Sequence, residues 1–135
     1  MSLVQEQSEF LKDVALLIAF ANRKGWLVTG GELWRPLEMQ KIYYKRGKTK
    51  TMKSLHLKKL AIDLNFFKPI NEKENGEVII INGRKYQLTY KKEDLEIFGD
   101  FWESLSEKNR WGGHFRNFLD TTHFERRLLV GKEKK

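Results

Sequence analysis

The chain has 135 residues, no cysteine and a formal net charge of +8, from 26 Lys and Arg against 18 Asp and Glu. That length fits one domain, the lack of cysteine excludes disulfides and thiolate metal sites, and 40% hydrophobic with 13% aromatic residues excludes a disordered polyelectrolyte. The positive balance favours anionic partners, a description that fits both nucleic acid and an acid-rich bacterial wall.

The first residues carry Glu6 and Glu9 rather than the basic start of a secretory signal. The longest apolar run, Val14 to Ala21, is eight residues, against the roughly twenty that span a bilayer as a helix. The expectation is a cytoplasmic protein, without membrane insertion, held there until something else releases it.

Phe10, Leu11, Val14, Leu17, Ile18 and Ala21 recur at helical spacing, with Ser8 as a start signal and Gly25 as a stop. Trp26 to Thr29 reads as a short strand closed by Gly30-Gly31. Pro36 suits the first turn of a second helix running to about Arg46. A basic loop follows, Lys45 to Lys53, which reads either as solvated surface or as an attractor of substrate. Leu60, Ile62 and Leu64 alternate with Ala61, Asp63 and Asn65, a period of two that marks a strand with one apolar face. Val78–Ile81, Asn82-Gly83 and Arg84–Leu88 make a hairpin around a type I′ turn. Asp94 to Glu107 reads as a helix with Leu95, Phe98, Phe101, Trp102 and Leu105 inward. Thr122 to Val130 reads as a last strand. The sum is a single compact α+β domain over residues 1–130, with a frayed basic tail at 131–135.

Three histidines, His56, His114 and His123, are the only imidazoles available to a metal. His56 and Asp63 are seven apart. On one helix they would sit about 10 Å apart along the axis, too far for donors around one zinc ion, whose bonds are about 2 Å. A strand, a turn at Lys58-Lys59 and a returning strand would bring them together. Asp63 lies on the small polar face of its strand, where it either faces water or binds something. Asp120, three residues before His123, is either an ordinary turn residue or a general base acting on water that a metal acidifies.

Ser54-x-His56, Ala61-x-Asp63, Trp111-Gly112-Gly113 and Asp120-x-x-His123-Phe124-Glu125 occur in that order. Together they resemble the D-alanyl-D-alanine carboxypeptidase and L-alanyl-D-glutamate endopeptidase family of zinc peptidases, which includes phage endolysins. The similarity runs from about Phe10 to Glu125. Gly30-Gly31-Glu32-Leu33-Trp34-Arg35-Pro36 is similar to the segment that carries the family's active-site arginine.

The resemblance implies a hedgehog/DD-peptidase-like fold, a small antiparallel sheet with flanking helices. It implies one Zn2+ per chain on His56, Asp63 and His123, Asp120 as catalytic base, and Arg35 steadying the oxyanion. Ser54, Trp111 and His114 are candidate substrate contacts. His114 stands where relatives often have Asp, and it either lines the groove or is simply exposed. Lys59 replaces the family's usual glycine, which implies an altered turn rather than a lost metal.

The implied substrate is a peptidoglycan stem peptide, cut between L-Ala and D-Glu by a monomer, with D-alanyl-D-alanine carboxypeptidase activity as the runner-up. The missing secretory signal fits a lysis enzyme stored in a bacterial cytoplasm until release, and a phage or prophage origin is the expectation that follows. A basic nucleic-acid-binding module is the reading from another class. It accounts for the charge but leaves the His and Asp arrangement unexplained, and no helix-turn-helix or zinc-finger pattern supports it.

Overall fold

A computed structural model describes residues 1–47, 55–71 and 77–128. Three helices pack with a six-stranded, wholly antiparallel sheet. The first helix, α1 (Leu3–Arg23), buries Phe10, Val14, Leu17 and Ala21, an i, i+4, i+7, i+11 stripe. Leu11, expected on the same face, is exposed.

This helix starts earlier than the Ser8 signal. Ser2 caps it: its hydroxyl accepts from the Gln5 amide, and the Gln5 side chain accepts from the Ser2 amide. The extra turns bury a charge rather than an apolar residue. Glu6 is buried and accepts hydrogen bonds from Lys108 Nζ and Arg126 Nε, both at 2.8 Å. Burial alone pushes the Glu6 carboxyl up, but those two cations outweigh it and hold it below the ordinary glutamate value.

Strand β1 (Leu27–Gly30) pairs with the middle of the long strand β2 (Ala61–Ile70). The second half of β2 pairs with β4 (Arg84–Thr89), which pairs with β3 (Val78–Ile81). The hairpin between β3 and β4 turns on Asn82 (φ 51) and Gly83 (φ 78), both left-handed as a type I′ turn requires. The first half of β2 pairs with β6 (His123–Arg126), and β6 pairs with β5 (Asn109–Trp111).

Helix α2 (Leu37–Lys45) follows Pro36, and α3 (Lys92–Ser104) turns Leu95, Phe98 and Trp102 into the core. Phe66, Phe98, Trp102, Trp111 and Phe124 fill the space between the sheet and α1 and α3. Phe10 meets Trp102 edge-on at 5.6 Å, and Phe66 stacks on Phe98 at 4.7 Å.

Three expectations change in detail, and one short strand is new. His56 sits in a short 3-10 turn (Leu55–Lys58) rather than on a returning strand. Strand β5 was too short to carry a periodic signal. The last strand ends at Arg126. Lys59 takes a φ of 58°, so this lysine adopts the left-handed conformation that glycine favours. Ser54, most of the basic loop from residue 48 onward and the tail 131–135 lie outside the described residues. No helix among the described residues is long and apolar enough to cross a membrane.

Candidate metal centre

The β2–β6 ladder sets Asp63 directly opposite His123. The 3-10 turn before β2 delivers His56 to the same point. Its geometry is held by the Leu60 amide donating to the Leu55 carbonyl at 3.0 Å and by the left-handed Lys59. Asp63 Oδ1 lies 3.5 Å from His56 Nε2 and 3.6 Å from His123 Nδ1. One donor atom from each of the three residues lies within 4.8 Å of the others.

Each imidazole is fixed by its other nitrogen. His56 Nδ1 donates to the Leu33 carbonyl at 3.1 Å, which leaves Nε2 with the lone pair. His123 Nε2 donates to Glu125 Oε1 at 2.7 Å, which leaves Nδ1 toward Asp63. Glu125 is buried and is held in turn by Arg127 Nε at 2.7 Å. Outer partners of this kind are what orient histidines on a metal.

Asp63 Oδ1 is fully buried and has no hydrogen-bond partner among the described residues. A buried acceptor left unmade costs about 1–3 kcal/mol. Contacts of 3.5 and 3.6 Å are too long for hydrogen bonds and suit two donors sharing one ion with bonds of about 2 Å. Two imidazoles and one carboxylate are also the donor set that zinc takes in hydrolytic sites. The residues present therefore fit a metal.

The charges agree. Burial alone raises the Asp63 carboxyl, but His123 and His56 beside it hold it well below the ordinary aspartate range. Burial alone lowers His123, yet Asp63 and Glu125 together push it up to about 9. Glu125 is lowered, with His123 and Arg127 outweighing its burial. Asp63, His123 and Glu125 are therefore coupled, with two lowered carboxylates on either side of one raised imidazole.

The Trp111-Gly112-Gly113 motif works beneath the site. Trp111 is 0% exposed, so it does not present a face to a substrate. Its Nε1 donates to the Thr121 carbonyl at 2.9 Å and pins the turn before β6. A Cβ at Gly112 would overlap the Asp120 carbonyl oxygen and lie 3.0 Å from the His123 Cβ. Only glycine permits that approach. The Gly112 carbonyl accepts the Asp120 amide at 3.1 Å, and the Asp120 carbonyl accepts the His123 amide at 3.1 Å. Asp120 Oδ1 accepts from Thr122 Oγ1 at 3.1 Å.

A family model described as D-alanyl-D-alanine carboxypeptidase matches residues 47–126. The chain belongs to that family. The peptidase is also similar in fold to the crystal structure of the Serratia marcescens L-Ala D-Glu endopeptidase ChiX, at 15% identity and a TM-score of 0.63, over 88% of this chain and 78% of that one. No curated protein matches it.

Arg35 is buried, and its amide donates to the His56 carbonyl at 3.3 Å. His114 stands apart from the three-residue centre. It is edge-on to Trp111 and faces carboxylates of α3, with Nδ1 3.1 Å from Glu103 and Nε2 3.6 Å from Glu96 and from Asp100. Sequence reasoning gave no role to Glu125 or to the Leu33 carbonyl. Glu125 was within reach: two residues after His123 on a strand, it shares that residue's face. The Leu33 contact is a backbone group 23 positions from its histidine, and no side-chain pattern encodes it.

Proposed function

We propose that this peptidase hydrolyses a stem-peptide amide of bacterial peptidoglycan, with one zinc ion held by His56, Asp63 and His123. The observation that carries the reading is the buried Asp63 Oδ1, without a hydrogen bond among the described residues, between two imidazoles whose other nitrogens are already fixed. What the ion supplies when bound is Lewis acidity, which polarises a carbonyl and makes water acidic near neutral pH.

Asp120 takes the proton from the attacking water and returns it to the departing amine. Its backbone is tied to Gly112 and His123, so the carboxylate and the nearby ligand move as one piece. Arg35 offers N–H groups to the oxygen on which negative charge develops. The bond between L-Ala and D-Glu is the first choice, by likeness to the endopeptidase branch, with D-alanyl-D-alanine carboxypeptidase activity as the alternative. The net charge of +8 draws the enzyme to an acidic wall at low salt. A monomer of phage or prophage origin, stored in the cytoplasm until lysis, completes the reading.

The test is digestion of purified peptidoglycan with and without a chelator, with fragments identified by mass spectrometry. Chelator-sensitive release of a new amino terminus at D-Glu supports endopeptidase action, and release of free D-Ala supports the alternative. Asp120→Ala is expected to keep zinc and lose about 10²–10⁴-fold in rate. Full hydrolysis by that variant removes Asp120 from the mechanism.

A further inference from the structure

Residues 31–35 form a strap across the metal centre. The Gly31 amide donates to the Asp63 carbonyl at 2.7 Å, and the Asp63 amide donates to the Glu32 carbonyl at 2.9 Å. The Leu33 carbonyl holds His56 Nδ1, and the Arg35 amide reaches the His56 carbonyl. A Cβ at Gly31 would sit 2.9 Å from the Asp63 carbonyl oxygen, so the strap lies against β2 only because that residue is glycine. Two of the three proposed ligands are thus tied to the segment that ends in Arg35.

The Arg35 side chain is clamped as well. Nε and Nη2 both lie 2.6 Å from Glu32 Oε1, and Nη1 donates to Gln40 Oε1 at 2.6 Å. Gln40 is completely buried on α2, and the guanidinium stacks over the Tyr43 ring at 4.9 Å. A free arginine side chain carries about 2 kcal/mol of rotamer entropy. Here that freedom is removed in the folded protein, before any substrate arrives. Of the five N–H donors on the guanidinium, those at Nε and Nη1 make the hydrogen bonds to Glu32 and Gln40, while Nη2 is ion-paired with Glu32.

We infer that Glu32 and Gln40 are positioning residues for the reaction, fixing the Arg35 guanidinium in register with the metal ligands through the strap. The inference rests on the peptidase reading above. A donor stabilises a developing oxyanion only if it is already aimed when charge appears, and misplacement by about 1 Å costs on the order of 10²-fold. Glu32 also gives the buried Arg35 a counter-charge, so the cation remains buried in its working place without an uncompensated charge.

The experiment is a double-mutant cycle on hydrolysis, with zinc content measured for every variant. Glu32→Gln keeps the side chain's shape and every backbone bond of the strap. It is expected to lower kcat roughly 10–100-fold, with KM and bound zinc unchanged. Glu32→Asp is expected to recover part of that loss. In an Arg35→Ala background, Glu32→Gln is expected to have no further effect, because it acts only through the arginine. Gln40→Met tests the second arm and is expected to lower kcat in the same direction. If Arg35→Ala does not fold, Arg35→Lys takes its place in the cycle.

Unchanged kcat in Glu32→Gln, losses that multiply in the double variant, or loss of zinc along with activity overturns the inference. Failure of the unsubstituted, zinc-loaded chain to cut any wall substrate sinks the peptidase reading itself. Normal cutting together with an indifferent Glu32→Gln sinks this inference alone.

Discussion

Among the described residues, two places gather histidine and carboxylate donors within 4.8 Å of one another: His56, Asp63 and His123 under the strap, two imidazoles and one carboxylate, and Glu96, Asp100 and His114 at the surface beside α3, one imidazole and two carboxylates. The residue types are nearly the same. Their surroundings differ. In the second group all three residues are exposed, and water satisfies whatever the protein does not. In the first, both histidines are buried, and Asp63 Oδ1 lies between them at 3.5 and 3.6 Å with no hydrogen bond among the described residues.

Burial by itself is not the distinction. Glu6 is as buried as these groups, yet Lys108 and Arg126 close around both of its oxygens. A buried carboxylate that is fully paired is holding helix and sheet together. One that lies between two oriented imidazoles at 3.5 and 3.6 Å has the donor set that could hold a metal. A buried oxygen without a hydrogen bond is not enough, since Asn109 Oδ1 is another among the described residues; the two oriented imidazoles beside Asp63 separate the candidate site from a structural or surface group.

The largest effect that can break this contrast is on metal content. His56→Ala and His123→Ala are each expected to abolish stoichiometric zinc and to reduce hydrolysis by at least roughly 10³-fold, the scale of several kcal/mol of lost charge stabilisation. His114→Ala is expected to keep one zinc per chain and most of its activity. Elemental analysis of the three variants decides it, and loss of zinc from the His114 variant would reverse the assignment of the two groups.

Next in size is the outer partner of His123. Glu125→Gln leaves an acceptor oxygen in place but removes the charge, and is expected to weaken zinc binding about 10–100-fold. Competition with a fluorescent chelator measures it, and an unchanged affinity would show that the ring needs no such anchor.

The pH response sharpens the comparison further. In the metal-free fold His123 is raised from 6.5 to about 9. A raised value means the folded protein binds the proton more tightly than the unfolded chain does. The resulting stability is complete below about 6.5 and is lost as pH rises through about 9. Denaturant unfolding of the metal-free chain is expected to show that decline, on the order of 3 kcal/mol at most. Zinc displaces the same proton, so its affinity is expected to climb across the same window. Unfolding free energies that stay level from pH 6.5 to 9 would contradict the charge arrangement.

The smallest effect is at Lys59. A left-handed lysine costs about 1–2 kcal/mol, partly offset in the unfolded state by glycine's greater freedom. Lys59→Gly is therefore expected to stabilise the protein by under about 1 kcal/mol and to leave zinc affinity unchanged. A drop in melting temperature would mean that the lysine side chain contributes more than its backbone strain costs.

Much of this was legible in the residues. The period of two across Leu60–Asn65 put Asp63 on the polar face of a strand, and the helical stripe from Phe10 to Ala21 and the Asn82-Gly83 turn follow from local spacing. The missed first turns of α1 have a definite cause. Periodicity looks for apolar residues, and that end of the helix buries Glu6, whose partners stand 102 and 120 positions away. Trp111 was a candidate substrate contact through the family resemblance of its motif. Its complete burial depends on Gly99 and Gly113, which leave room for its indole.

The sequence alone determined which side chains have the chemistry for a metal, because donor type is a property of each residue and cysteine is absent. It also determined the alternation and turns that aim those side chains locally. Only the tertiary structure decided that three of them converge, that Leu33 and Glu125 fix the two rings, and that one oxygen of Asp63 is left without a hydrogen bond among the described residues. Those are relations between segments far apart in the chain. They exist only once the strap, β2 and β6 have closed on the same small space.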